Sequence, residues 1–521
     1  MSTRTEASSP TDPAVRELVR PVLKTGAAFW AWFAFLLAVL TWFVVSWSHQ
    51  ISEGHVLSGQ GNHGAVWGIT VANIVHLIGI SHVGIAISAV VRILKLERYR
   101  QLARLAEFVT LASLATAVLN IALDVGRPER FIVNVFWYGR WHSPFVWSMT
   151  VITTYFVGSL VYLYLAMRRD IACMATLFPK RAGFYRALSL GYRDTPSERE
   201  RHERTVWWLA VIILPIMVSV HSVYGLIFGM QAARPGWFNP LQAPYFVLGA
   251  IVSGFSAMIV VAAVVRRLFG WQEQLPARMF KGLGIFLGFV TLLYMYFFFS
   301  EQLTASYAAP LREGQVAHEL RSGHFGALFW PVIVIGLVIP FWALFVQGVS
   351  RNLVSIRLTV ICAILINVAM WMKRFFIVVP SFMHPHLPLR VVPYEPTAHE
   401  WGLVLASYAF AALLYTALVK TIPSLELPES LPAGAAAGAR DGVWLASTGR
   451  RVLLGLTPLV GIGLIAAGIA FRQLVPASAV GVSGIVLLLT IPLQVCLPTG
   501  RPVAKAVAEV EGVTEPVRES V

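Results

Sequence analysis

Three histidines, His76, His82 and His221, lie inside long apolar runs of this chain. An imidazole both donates and accepts hydrogen bonds and titrates near neutral pH, so a buried one can ligate a metal, relay a proton or bond a carbonyl oxygen. On idealised helices His76 and His221 fall at similar depth, and His82 falls on the other side of the midplane. Three readings stay open at this level: interhelical hydrogen bonds that hold a bundle together, bis-histidine ligation of a b-type haem by His76 and His221, and a quinone site. A second polar group gathers toward one surface. Asp124, Arg127 and Glu129 follow the third apolar run, Arg140 and His142 precede the fourth, Glu301 ends the seventh, and Lys373 and Arg374 end the ninth. Snorkelling and interfacial pairing account for Lys373, Arg140 and Glu129. Asp124 and Arg127 have the i,i+3 spacing of a helical ion pair. Arg374, followed by the apolar Phe375–Val379, calls for a carboxylate or a ligand carbonyl.

The elements that carry these groups are transmembrane helices. Of 521 residues, 57% are hydrophobic and 13% charged, and the mean hydropathy is +0.68. Ten apolar runs, each long enough to cross a bilayer as a helix, lie at about 26–48, 65–91, 103–124, 144–167, 206–230, 244–265, 280–301, 325–348, 353–373 and 400–420. Two more follow at about 452–471 and 478–497. The expected class is all-α, polytopic and transmembrane. The expected segments are a cytoplasmic tail (1–25), a ten-helix membrane domain (26–420), a Pro/Gly/Ala linker (421–450) and a two-helix extension with a charged tail (451–521).

The net charge of +15 does not point to nucleic acid, because the basic residues alternate between loops. With the N-terminus inside, 31 of the 41 Lys and Arg residues fall on the cytoplasmic side, so the positive-inside rule predicts twelve spans with both termini cytoplasmic. Cys173, Cys362 and Cys496 are isolated, which leaves no ligand set for an iron–sulfur cluster or a c-type haem. No metal site is expected. A secondary transporter would also have twelve spans, but it calls for matching broken helices in two halves. Pro215 interrupts the fifth run without a clear counterpart.

Five segments, in order, resemble the NrfD/PsrC family of integral membrane subunits: GISHVGIAISAV (79–90), GRWHSPFVWSMT (139–150), SVHSVYGLIFGM (219–230), APYFVLGAIVSGFSAMIV (243–260) and NVAMWMKRFFIVVPSF (367–382). The ten-helix branch found in alternative complex III is the most similar. The resemblance covers about residues 26–420. It implies two four-helix bundles with flanking helices in a bacterial inner membrane. It further implies a menaquinone- or ubiquinone-type substrate, no intrinsic redox cofactor, and an extrinsic iron–sulfur subunit on the outer face that serves a molybdopterin or multihaem subunit. By motif, His82 matches the quinone-site histidine of the second helix, and Arg374 the arginine of the W-x-x-R-F segment. His142 and Tyr224 join them as expected quinone contacts, and Asp124, His221 and Glu301 as expected proton handlers. Ser148 and the region of Ile227 stand where that branch carries acidic residues.

Overall fold

The computed structural model describes residues 13–23, 25–60, 66–307, 310–386, 394–428, 431, 447–470 and 477–496. Most of the linker, the first twelve residues and the C-terminal tail from Arg501 lie outside the described residues, as do 387–393 of the Pro- and His-rich loop. Among the described residues the secondary structure is helical, without a strand. The principal helices are α1 (Ala27–Glu53), α2 (Ile69–Ile93), α3 (Arg100–Asp124), α4 (Pro128–Tyr138), α5 (Pro144–Leu177), α6 (Pro196–Gly229), α7 (Gln242–Phe269), α8 (Ala277–Tyr307), α9 (Leu311–Arg321), α10 (Gly326–Val349), α11 (Ile356–Met383), α12 (Ala398–Thr421), α13 (Ser447–Ala470), α14 (Ala477–Leu489) and α15 (Ile491–Cys496).

Eleven of the described helices are long and apolar enough to span a bilayer; the twelfth run is a shorter helix over Val480–Cys496, broken at Thr490. Helices α2, α3, α5 and α6 pack as one four-helix bundle, and α7, α8, α10 and α11 as a second. The two bundles meet along α2–α7, α2–α11 and α6–α7, while α1 and α12 flank the first bundle against α3. This is the arrangement the family resemblance implied. Because successive spans alternate in direction, Asp124, Gly229, Gln242, Tyr307 and Met383 gather at one end of the molecule, and Arg104 and Asp170 lie toward the other.

Local sequence explains where the helices begin and stop. Proline occupies the first helical position of α4, α5 and α6, where its missing N–H costs nothing. The Thr195 and Ser355 side chains accept from backbone N–H groups of α6 and α11. At α12, Thr397 and Glu400 form a reciprocal capping box. Glu400 also accepts from the Tyr394 hydroxyl at 2.8 Å and from Gly59 N–H at 2.9 Å. The same Tyr394 hydroxyl accepts from Ile69 N–H, so the starts of α2 and α12 are tied through one phenol. Helix α3 stops where Gly126 takes a φ of +69°. Asp124 therefore does not continue a helix toward Arg127; its carboxylate accepts from Gln60 Nε2 at 3.1 Å instead.

Polar groups hold the spans together. Asn73 (α2) donates to Asn120 (α3) and accepts from Trp371 (α11) and Tyr408 (α12), joining four helices at one buried side chain. Toward the opposite end, Arg104 is 1% exposed and faces Glu107 at 3.4 Å, Asp170 at 2.7 Å and Glu426 at 4.0 Å. Glu107 in turn accepts from Ser88 at 2.6 Å. Glu426 lies in the stretch expected to open the linker, yet Ser424, Leu425, Leu427 and Leu431 are buried and Arg169 donates to Leu431 O. The packed unit thus runs past residue 420. The C-terminal pair also docks: α14 lies on α4 and α5, Trp141 Nε1 donates to Gly468 O, and Arg168 Nη1 donates to Cys496 O.

Two outcomes test this packing. A Cβ at Gly84 would run into the Ala106 carbonyl oxygen of the neighbouring helix, whereas one at Gly183 meets nothing within 4 Å. Gly84→Ala is expected to lose most of the folded yield in detergent size-exclusion chromatography, with Gly183→Ala unchanged. Arg104→Met leaves the buried Glu107 and Asp170 without their arginine, so it is expected to destabilise by about 3 kcal/mol or more, read as a lower unfolding midpoint in purified protein.

Candidate functional site

A cavity of about 400 Å³ opens at the Asp124 end of the first bundle, between α2, α3, α5 and α6 and the loop that follows α6. Its walls are mostly apolar, with Val71, Ile74 and Val75 from α2 and Met149 from α5. Four aromatic rings close one side. Trp67 stacks on Trp237 with centroids 5.7 Å apart, Phe228 meets Trp237 edge-on at 4.8 Å, and Phe382 meets Trp237 at 5.4 Å. Trp237 Nε1 donates to Ile377 O, which pins the α6–α7 loop to α11. Arg234 lies over the Phe382 ring at 4.5 Å.

The polar groups of the cavity are few and directed. Ser148 Oγ donates to the Tyr224 hydroxyl at 3.0 Å, which leaves the phenolic proton of Tyr224 available to a ligand. Asp124 lines the wall with its second carboxylate oxygen not engaged by Gln60. Gln231 and Arg234 stand in the same wall.

Behind this cavity lies a histidine pair. His82 Nδ1 meets Ile78 O at 2.6 Å, and a carbonyl can only accept, so that nitrogen carries the proton. His82 Nε2 is then an acceptor, and His221 Nδ1 donates to it at 2.9 Å. The His82 ring also stacks on Tyr155 with centroids 4.4 Å apart, and Tyr155 donates to Ser81 O. This ordering leaves His221 Nε2 as a buried bare nitrogen, and it has no hydrogen-bond partner. His221 is one helical turn from Tyr224, so the pair adjoins the cavity without lining it.

The structure pairs His82 with His221, two residues that depth along idealised helices sets on opposite sides of the midplane, and their nitrogens 2.9 Å apart hydrogen-bond to each other. His76 is also buried, with Nδ1 unpartnered.

Arg374 and Lys373 do not end their helix, which continues to Met383. Arg374 is 1% exposed and lies over the Phe246 ring at 4.7 Å; its Nε and Nη2 have no hydrogen-bond partner. Phe246 stacks on Phe228 of the cavity wall at 5.4 Å, so Arg374 sits one aromatic layer behind the cavity. Lys373 does not snorkel: it is 3% exposed and donates to Glu301 at 2.6 Å. Glu301 and Lys373 border a smaller cavity of about 190 Å³ between α8, α9 and α11. His142 is exposed on the turn before α5 and does not line the main cavity.

Of the expected site residues, the structure therefore brings Asp124 and Tyr224 to one cavity, sets His82, His221 and Arg374 behind it, and leaves His142 and Glu301 elsewhere. Trp67, Trp237, Phe228, Phe382 and Ser148 were not singled out as contacts by sequence reasoning. Aromatic residues are common in every span here, and nothing in their spacing distinguishes these four.

Comparison with known proteins agrees with this architecture. Residues 58–386 match the family described as Polysulphide reductase, NrfD. The chain is 31% identical over 329 residues to a putative dimethyl sulfoxide reductase membrane subunit of Halobacterium salinarum, covering 62% of this chain and 68% of the relative. It is 24% identical over 403 residues to a selenate reductase subunit of Mesobacillus selenatarsenatis, covering 73% and 91%. It is 24% identical over 379 residues to an Hdr-like menaquinol oxidoreductase integral membrane subunit of Archaeoglobus fulgidus, covering 70% and 86%. With two four-helix bundles, the matched segments in order and more than half its length within the family's span, this chain belongs to the NrfD family of multi-pass membrane proteins.

Proposed function

We propose that the chain is the quinone-reactive membrane subunit of a bacterial respiratory oxidoreductase. It would exchange electrons between a menaquinone- or ubiquinone-type pool and an extrinsic iron–sulfur subunit docked at the Asp124 end, taken as the outer face. A molybdopterin or multihaem subunit would lie beyond that partner. The observation that carries this reading is the amphiphilic cavity. At about 400 Å³ it falls within the ~300–1,000 Å³ of small-molecule sites. It pairs apolar, aromatic walls with a few polar side chains, among them Tyr224 and Asp124, suited to a planar dicarbonyl ring. The name of one of the relatives, a menaquinol oxidoreductase subunit, supports the substrate class.

A quinone carries two electrons and two protons between its reduced and oxidised forms. In this reading Tyr224, its oxygen already accepting from Ser148, donates to one ring oxygen. Asp124 exchanges a proton at the solvent-side end. The His221–His82 pair takes or supplies a proton one helical turn deeper, since each imidazole can pass a proton from one ring nitrogen to the other. Arg374 acts from behind Phe246, where its positive charge favours electron density in the cavity. The exposed His142 and the ion-paired Glu301 have no part in this scheme. Proton translocation, in this reading, would start from the same His221–His82 pair. Pro215, the broken-helix cue weighed for the transporter alternative, lies inside α6, which runs unbroken through it.

Tyr224→Phe and Asp124→Asn are each expected to lower quinol-linked electron transfer about 100-fold, the scale of a lost proton donor or acceptor, while the complex still assembles. Wild-type rates in both variants would remove the cavity from the mechanism. His82→Ala is expected to abolish quinone-linked turnover with assembly intact, measured by co-purification of the partner subunits. Loss of assembly instead would make the histidine pair structural.

A further inference from the structure

A second cavity, distinct from the proposed quinone site, lies under the short helix α4. We propose that it binds the phosphate of an anionic phospholipid in the leaflet at the Asp124 end. The cleft has a volume of about 570 Å³ and lies between α4 and the start of α5. Arg130, Asn134 and Tyr138 line it from one stripe of the helix, and Arg127 lines it from the residue just before the helix. Arg140 lines it as well, from the turn that follows.

The charge of this cleft is unbalanced. No acidic side chain lines it; Glu129 lies on the same helix but outside the lining. Among the described residues, none of Arg127, Arg130 and Arg140 has an ion pair or a side-chain hydrogen bond, whereas Arg100, Arg104, Arg168 and Arg199 find carboxylates or carbonyls. The contrast with the arginine-rich cavity at the opposite end is direct. There Asp170, Glu203 and Glu426 share the wall with the arginines, and Asp170 and Glu426 pair with Arg104 and Arg100.

Apolar side chains complete the cleft wall: Phe131 and Val135 from α4, and Phe145 and Val146 from α5. The neighbouring stripe of α4 exposes Val133 and Trp137, each 54% accessible. A short helix that presents Arg130, Asn134 and Tyr138 on one stripe and Val and Trp on the next lies in a membrane interface. Guanidinium groups at that level pair with phosphate oxygens, and the apolar wall suits the first methylenes of an acyl chain. A free phosphate would not use that wall, and an acidic protein surface would not need the cleft. Val125, Ser143 and Phe145 line both this cleft and the quinone cavity, so a lipid seated here borders the path by which a lipid-soluble substrate would enter.

The test is native mass spectrometry of the full chain, purified in detergent and supplied with equal amounts of phosphatidylglycerol and phosphatidylcholine. The wild type is expected to retain phosphatidylglycerol preferentially. The combined Arg127→Gln, Arg130→Gln, Arg140→Gln variant is expected to lose that preference by about tenfold or more, with an unchanged elution profile. Equal retention by both proteins would overturn the proposal. So would displacement of the lipid by inorganic phosphate, which would mark a free-anion site. Loss of a co-purifying acidic protein, with lipid retention unchanged, would also overturn it and mark a protein-docking surface.

Discussion

Hydrocarbon offers no hydrogen-bond partner, so a polar side chain within the spans must meet another part of the protein or a ligand. The bond between His221 Nδ1 and His82 Nε2 obeys that constraint and organises what surrounds it. Because Ile78 O claims the other nitrogen of His82, the proton order is set along the chain of bonds. The result is a satisfied pair that ends in one bare nitrogen, directed away from the carbonyl that fixes it. Asn73, with partners from three helices, and Arg104, with three carboxylates, answer the same demand elsewhere.

The two kinds of buried polar group differ in what they leave over. The Asn73 knot closes around one amide, and it reads as a fastening. The region around Arg374 does not close. Arg374, His76, His221, Tyr245 and Tyr294 all retain buried atoms without a partner. In a packed core such groups are uncommon, and they gather where water or a ligand completes them. Their position behind the Phe228–Phe246 layer places this reserve beside the cavity.

The Asp124 end is also where the helices are most irregular. Gly126 turns the chain out of α3, α4 lies between two spans, and the Trp237 loop folds back onto α11. Irregular backbone there creates the concave surfaces that regular antiparallel helices lack. At the opposite end the Arg104 cluster packs with Ser424, Leu425, Glu426 and Leu427 of the segment that follows α12.

Hydropathy alone determined the all-α class, the number and order of the apolar runs and their approximate limits, because spanning a bilayer demands about twenty apolar residues regardless of neighbours. Motif order was enough to point to the family. Asp124 and Tyr224 were legible as candidates because polar residues beside apolar runs are few, and both reach the cavity wall. The pairing of His82 with His221 was not legible, since a depth estimate along separate helices carries no information on their rotation or tilt. Nor was the choice between snorkelling and burial for Lys373, which depended on where α11 stops and on Glu301 of another helix. The aromatic wall, the Ser148–Tyr224 bond and the unpaired arginines around α4 are all relations between distant segments. Only the packing of the two bundles decided them, because contact between helices is set by side-chain fit and not by the composition of either helix.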